Sequence, residues 1–317
     1  MRSALIIGAG GQDGRLLTSL LLDREYSVRG WVRKELDTPA LCECMPVDLL
    51  TPTSVENEVA RLQPDEIYYL AAFHHATEEA VEESAPAMLQ RSFAVHVFGL
   101  VNVLEAIKTH CRRTRLFYAA SSHVFGKPTT EWQDEGTLFM PQSAYGISKA
   151  AGIQCCQLYR QQEEVFAATG ILFNHESALR KQTFLSQKIV QGALRACREP
   201  NYKLKLGDLD TRIDWGYAPD YVDAMYRILQ LPAASDFVVA SGEMHSVREF
   251  VEIAFGALDL DWRRCVEIDT SLLQRTSYPL RGNAGKLRAA TGWNPTTTFT
   301  KLVTRLVHDA ERTYETV

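Results

Sequence analysis

The chain has 317 residues, of which 46% are apolar and 23% charged, and a formal net charge of −5. That is enough apolar material for one large or two modest domains, and it excludes a disordered chain. No basic block is present, which argues against nucleic acid or a membrane surface as partner, while seven cysteines without metal-like pairing and an apolar opening broken at Gly8, too early for a signal or a span, suggest a reducing, cytoplasmic setting.

Residues 4–7 are a short apolar run that flows into Gly8, Gly11 and Gly14 at G-x-x-G-x-x-G spacing, followed by an amphipathic segment over residues 15–23. Strand, glycine turn and helix in this order let backbone N–H groups and a helix N-terminus approach a pyrophosphate. The next strand, 26–32, ends in Arg33. An acid at this place accepts from the ribose 2′-hydroxyl of NAD; an arginine suits the 2′-phosphate of NADP. Residues 45–49 end a third strand, with Asp48 placed to accept from an adenine amino group, and Thr53 or Ser54 can cap a helix running to Leu62. A fourth buried strand covers 66–72. His74 and His75 follow it; neighbours on a strand point to opposite faces, so they make a poor joint metal site, and no metal is expected. A helix is expected over 92–109.

The next apolar run, 116–120, leads into Ser121, Ser122 and His123. Hydroxyls at the C-terminal end of a parallel strand lie where open α/β sheets hold ligands. Tyr145 and Lys149 stand four residues apart, one helical turn. Such a pair occurs as a solvated pair in many helices. Here it also fits the removal of a proton from an alcohol while hydride leaves the same carbon, with the lysine lowering the tyrosine pKa. Alternating strands and helices imply a doubly wound parallel sheet. Beyond Gly170 the pattern loosens: a strand over 171–177, a helix over 183–198 carrying Lys188, loops over 204–215, a helix from Asp220, a capping box at Ser246, and a turn at 292–295 before the terminal helix. The expected fold is α/β, a Rossmann-type dinucleotide-binding domain over 1–170, with 171–317 mainly a smaller substrate domain that returns in part to the first.

On Gly11–Gly14, residues 170–177 (with Phe173-Asn174-His175-Glu176-Ser177 the most telling phrase), Asp214-Trp215-Gly216, Asp220-Tyr221-Val222 and residues 246–251, the chain resembles the extended short-chain dehydrogenase/reductases, and within them the GDP-mannose 4,6-dehydratase family. The resemblance covers nearly the whole chain. It implies that Gly8, Gly11, Gln12, Asp13, Gly14, Arg33, Asp48, Leu49, Leu70, Ala72, Tyr145, Lys149, His175 and Arg180 hold NADP. It implies that Tyr145 and Lys149 are the catalytic pair, with Ser121 in the place of the family's threonine. Asn174, Lys188 and Arg275 match positions that grip the sugar nucleotide, expected to be GDP-linked; a homodimer is expected, and a tetramer is open. Three departures stand out. His123 replaces the family's dehydratase glutamate; Ile213 replaces an arginine, leaving Arg212 one place earlier; and the segment after Arg33 is shorter. His123 in the proton-moving position fits a 4,6-dehydratase, but equally a 4-keto-sugar reductase or an epimerase. An NADP-binding regulatory module without turnover is a further alternative, against which the retention of Ser121, Tyr145 and Lys149 argues.

Overall fold

The computed structural model describes residues 1–35, 40–73, 84–272 and 278–315. In chain order its strands are β1 (Ser3–Ile7), β2 (Ser27–Val32), β3 (Glu43–Pro46), β4 (Glu66–Tyr69), β5 (Arg115–Ser121), β6 (Ala167–Leu172), β7 (Asn174–Glu176), β8 (Leu204–Leu206), β9 (Arg212–Tyr217), β10 (Asp236–Val239), β11 (Met244–Ser246) and β12 (Val266–Ile268). The α-helices are α1 (Gln12–Leu22), α2 (Pro52–Leu62), α3 (Ala85–Phe93), α4 (Gly99–His110), α5 (Ala144–Gln162), α6 (Leu185–Arg198), α7 (Ala218–Gln230), α8 (Val247–Gly256), α9 (Gly285–Thr291) and α10 (Phe299–Glu315). A π-helical segment, Ala94–Phe98, joins α3 to α4.

Seven strands form one sheet in the order β10-β6-β5-β4-β1-β2-β3, and every pairing in it is parallel. Strands buried on both faces read as unbroken apolar runs, which is why Ile6, Ile67, Phe117 and Ala168 are all shut away from water. Helices α1 and α7 pack together on one side, and α2, α4 and α5 associate on the other. The strand order reverses at β1 and β4, whose carboxyl ends make the switch point where such sheets hold ligands. A second apolar core lies among α6, α8 and α10, around Ile189, Trp215, Phe250 and Phe299. There β7, β9 and β11 form a small mixed sheet and β8 pairs with β12. The first core draws on both ends of the chain: β10 extends the main sheet, and Tyr221, Leu287 and Trp293 join its packing.

Several local expectations are corrected. The line drawn at residue 170 passes through β6. Residues 204–215, expected as loops, hold β8 and the start of β9; three-residue strands are too short to show a period. The helix expected from residue 92 begins at Ala85, behind Ser84, whose hydroxyl accepts from the Ala87 N–H. Over Ala85–His110 the helical run is long and apolar enough to pass for a membrane span, yet Leu100, Val103, Leu104 and Ile107 are packed into the core. Helix α2 is entered through Thr51 and Pro52 rather than Thr53 or Ser54, because proline at the first helical position needs no hydrogen-bond partner. The capping box at Ser246 is present, with both reciprocal bonds to Glu249 made. His74 and His75 lie outside the described residues.

Asp214 ties the small sheet to the large one. Its buried carboxylate accepts from Ser241 N–H (3.0 Å), the Ser241 hydroxyl (2.5 Å), Gly242 N–H (3.0 Å) and Gly282 N–H (3.1 Å). Burial alone holds its pKa above the usual value despite those donors. Replacing Asp214 by Ala leaves these donors buried and unpaired, and is expected to cost about 3 kcal/mol of stability. A urea titration that finds Asp214→Ala as stable as wild type would remove this role; Asp214→Asn, which keeps one acceptor, is expected to fall between.

Candidate active site

The glycine turn is shaped by what a side chain there would strike. Gly8 has φ +97°, and a Cβ on it would lie 2.8 Å from the Ala71 amide nitrogen. A Cβ on Gly14 would lie 2.4 Å from the Gly8 carbonyl oxygen. The turn therefore sits flat against the strand end at residues 70–71, where Leu70 N–H donates to the Ile7 carbonyl at 2.9 Å. Gly11 caps α1, so the first amides of that helix open beside the turn. A turn that admits no side chain at Gly8 or Gly14, at a helix N-terminus and a switch point, is a cradle that fits the pyrophosphate of a dinucleotide. Arg33 follows β2 and is exposed. Asp48 is exposed too, but both carboxylate oxygens are engaged by its own turn: Leu50 N–H donates at 3.0 Å and the Thr51 hydroxyl at 2.9 Å. Its first role here is to cap that turn. The Leu49 carbonyl accepts from Asn102 at 2.8 Å.

The cradle is hooked to the region after β6. His175 Nδ1 donates to the Phe173 carbonyl at 2.7 Å, and Nε2 lies 2.9 Å from an Asp13 carboxylate oxygen. Both ring nitrogens face acceptors, so the arrangement calls for the imidazolium. Burial acts against the charge, but the Asp13 carboxylate more than offsets it and raises the His175 pKa; burial likewise acts against Asp13, whose pKa the histidine brings below the usual value. Gln12 donates to the His175 carbonyl at 3.2 Å and accepts from the Ser177 hydroxyl at 2.9 Å. The His175 ring stacks on Tyr221, centroids 4.6 Å apart. Four residues implied as cofactor or motif positions thus hold one another.

A cleft of about 410 Å³ opens from this hook. Ser121, His123, Tyr145, Lys149, Asn174 and Arg212 meet along it, and Leu70, Ala72, Asp13, His175 and Arg180 line it as well. Ser143 caps α5, its hydroxyl accepting from Gly146 N–H, which sets Tyr145 and Lys149 on the first turns. Tyr145 hydrogen-bonds Ser121, and its ring stands edge-to-face with His123 (centroids 5.6 Å) and His96 (5.2 Å). The Ser121 oxygen also accepts from His123 N–H at 3.3 Å.

The expected lowering of the tyrosine pKa by its lysine does not appear. Burial pushes the Tyr145 phenol up to about 12, with Ser121 and Arg180 pulling the other way. Burial pushes Lys149 down to about 7. The ammonium donates to the Ala119 carbonyl at 2.6 Å and stands 5.7 Å from the Tyr145 ring centroid, so desolvation outweighs their mutual effect. Two substrate-side residues fall elsewhere. Lys188 lines an adjoining groove with Arg195, Arg198 and Lys205 instead of this cleft, though Leu272 borders both. Arg275 lies outside the described residues. Arg212 and Ile213 both reach the cleft wall, and Arg212 donates to the Met244 carbonyl at 3.0 Å. One residue not found from sequence stands beside the site, His96 in the π-helical segment, its ring against that of Tyr145; Glu176, a member of the 173–177 phrase, accepts from the Ser186 hydroxyl at 2.6 Å beside Arg180. His96 has no local sequence signal, since nothing in an apolar helix marks a π turn.

Residues 5–306 match the family model described as GDP-mannose 4,6 dehydratase. The GDP-mannose 4,6 dehydratase 2 of Arabidopsis thaliana is 36% identical over 327 residues, covering 96% of this chain and 86% of that protein. The human GDP-mannose 4,6 dehydratase is 31% identical, covering 96% and 90%. Among solved structures, the dTDP-glucose 4,6-dehydratase of Bacillus anthracis in complex with NAD superposes with a TM-score of 0.83 over 99% of this chain and 98% of that one, at 20% identity, a likeness of fold.

The His175–Asp13 pair makes stability depend on pH. His175 has a raised pKa, so its contribution is full below the unfolded value near 6.5 and is lost as pH rises through the folded value. Asp13 has a lowered pKa, so its contribution is full above about 3.9 and is lost as pH falls through the folded value. Wild type is therefore expected to exceed Asp13→Asn most between about pH 5 and 6.5, with the margin shrinking in alkali. Melting temperatures across a pH series check this; a margin that widens above pH 8 would contradict it.

Proposed function

The chain belongs to the GDP-mannose 4,6-dehydratase family of extended short-chain dehydrogenase/reductases, and we propose that it removes water from the hexose of GDP-mannose with NADP as its redox cofactor. The observation that carries this reading is the meeting of Ser121, His123, Tyr145 and Lys149 in one cleft that also reaches Asp13 and Leu70, beside the glycine turn.

The cofactor's residues would be Gly8, Gly11, Gly14 and the α1 amides at the pyrophosphate, Arg33 at the 2′-phosphate, and Tyr145 and Lys149 at the nicotinamide end. When bound, NADP would supply the redox chemistry, a hydride acceptor for C4 and a hydride donor for C6 of the sugar. Tyr145 takes the proton of the 4-hydroxyl, which Ser121 orients. Because burial holds the phenol well above neutrality, its ionisation has to be drawn out by charge: Arg180 already acts in that direction, and Lys149, where protonated, adds to it. The C4 ketone acidifies the C5 proton. His123 accepts that proton and passes it to the departing 6-hydroxyl, which leaves as water, since a neutral imidazole accepts and an imidazolium donates near pH 7; with hydride restored at C6, C5 takes up a proton, matched by the one Tyr145 releases. Asn174 and Arg212 line the wall on which a nucleotide diphosphate would be held, where an arginine fork suits phosphate oxygens, and Arg180 stays on the cofactor side. Seven unpaired cysteines support a reducing, cytoplasmic location. A second copy of the chain would cover the side that exposes Phe98 (59%), Ile147 (41%) and Leu158 (47%), which supports a homodimer.

Incubation with GDP-mannose and NADP+ is expected to give a sugar nucleotide lighter by one water. Tyr145→Phe and His123→Gln are each expected to lower the rate by about 100-fold or more, and His123→Glu to retain measurable dehydration. An unchanged mass with a new sugar on hydrolysis would make the enzyme an epimerase. Consumption of NADPH with a 4-keto sugar would make it a reductase. Tight NADP binding with no turnover of any of these would leave a binding module.

A further inference from the structure

His96 is fully buried in the π-helical segment, and no motif accounts for it. Phe73 N–H donates to its Nε2 at 2.9 Å, so that nitrogen carries no proton. The remaining proton is on Nδ1, which donates to the Ser148 hydroxyl at 2.7 Å. Ser148 in turn donates to the carbonyl of Tyr145 at 2.9 Å. The neutral imidazole thus bridges the chain just beyond Ala72 and the helical turn that carries the phenol, and its ring also stands edge-to-face against the Tyr145 ring at 5.2 Å.

The segment around it is held for this purpose. A π turn disturbs the regular i→i−4 ladder, and its carbonyls need other donors. Two buried tyrosines of the sheet supply them: Tyr69 on β4 donates to the Val95 carbonyl at 2.5 Å, and Tyr118 on β5 to the His96 carbonyl at 3.2 Å. The Tyr118 ring also lies beneath Lys149, 4.9 Å from its ammonium. One histidine therefore connects the sheet edge of the cofactor cleft, the floor under the lysine and the helix of the tyrosine.

We propose that His96 is a positioning residue for Tyr145: its neutral imidazole, fixed between Phe73 N–H and Ser148, sets the phenol against Ser121 and the nicotinamide end of the cleft. The inference rests on the reading of Tyr145 as the base, so its test has one arm that needs no substrate.

In that arm, the protein is labelled with carbon-13 at the tyrosine Cζ and loaded with NADP, and Tyr145→Phe identifies the resonance of interest. His96→Phe, which keeps a ring but loses both hydrogen bonds, is expected to shift or broaden that resonance. In the second arm, His96→Phe is expected to lower kcat on GDP-mannose by about 100-fold while KM stays within about threefold, because misplacement of a reacting group acts on the chemical step. Its rate-against-pH midpoint moves upward, as the phenol leaves the Ser121 hydroxyl that favours its ionised form. His96→Asn, which can still reach Ser148, recovers about tenfold of the loss. Should His96→Phe fail to fold, Ser148→Ala cuts the same link and is held to the same outcomes. An unmoved resonance in the folded variant overturns the proposal, as does a kcat within about threefold of wild type with the same pH midpoint. If wild type does not turn over GDP-mannose, the substrate reading fails and the resonance alone decides for or against His96.

Discussion

Tyr145 and Lys149 stand one helical turn apart beneath the carbonyl ends of the sheet, both withdrawn from water, and that withdrawal disfavours the ionised form of each. A phenol near 12 and an ammonium near 7 are displaced in opposite directions from the states that proton abstraction needs. The rest of the cleft is arranged around this difficulty. Ser121 offers the phenol a hydrogen bond, Arg180 a positive field, and Ala119 a carbonyl for the ammonium. Low dielectric makes each of these stronger than it would be in water, so the same burial that opposes ionisation also gives the surrounding charges their leverage.

The second organising feature is the hook between Asp13 and His175. The glycine cradle belongs to the large sheet, while the wall carrying Asn174, Glu176 and Arg180 begins where the chain leaves it for the small one. Without a tie, those two surfaces would meet only through loops. Gln12, Asp13, His175 and Ser177 fasten them with charge-assisted and neutral hydrogen bonds, and Tyr221 closes the stack from behind. Asp214 does the corresponding work on the far side of the small sheet. Residues that stand out in the sequence as motif members are in these two cases fasteners of the cleft.

Much of the main sheet is legible in the sequence because buried parallel strands are written as apolar runs and their turns as glycine. Residues 4–14 and 116–123 are the clearest cases. The convergence of Ser121, Tyr145 and Lys149 follows from the strand-end rule and the helical period. What is not legible depends on long-range packing. The short strands after residue 200 carry no period of their own; they exist because β9 has β7 and β11 beside it and β8 has β12. The direction of the Tyr145 shift could not be read from spacing, since four residues of separation say nothing about how much water is excluded. Lys188 matches a family position, yet its helix turns it into the neighbouring groove. His96 is invisible for the same reason: a histidine in an apolar helix reads as core until the π turn and its two tyrosine donors are seen.

That π turn also limits how this chain can vary in length. Each residue added to or removed from an α-helix rotates everything beyond it by about 100°. The wide turn at Ala94–Phe98 absorbs one such step, so that His96 meets Phe73 N–H and Ser148 while Leu100, Val103 and Ile107 still pack into the core. Dropping a single residue there would restore a regular helix and force a choice between the two faces. Loops elsewhere on the surface can grow or shrink, but within these five positions the residue count itself is under structural constraint.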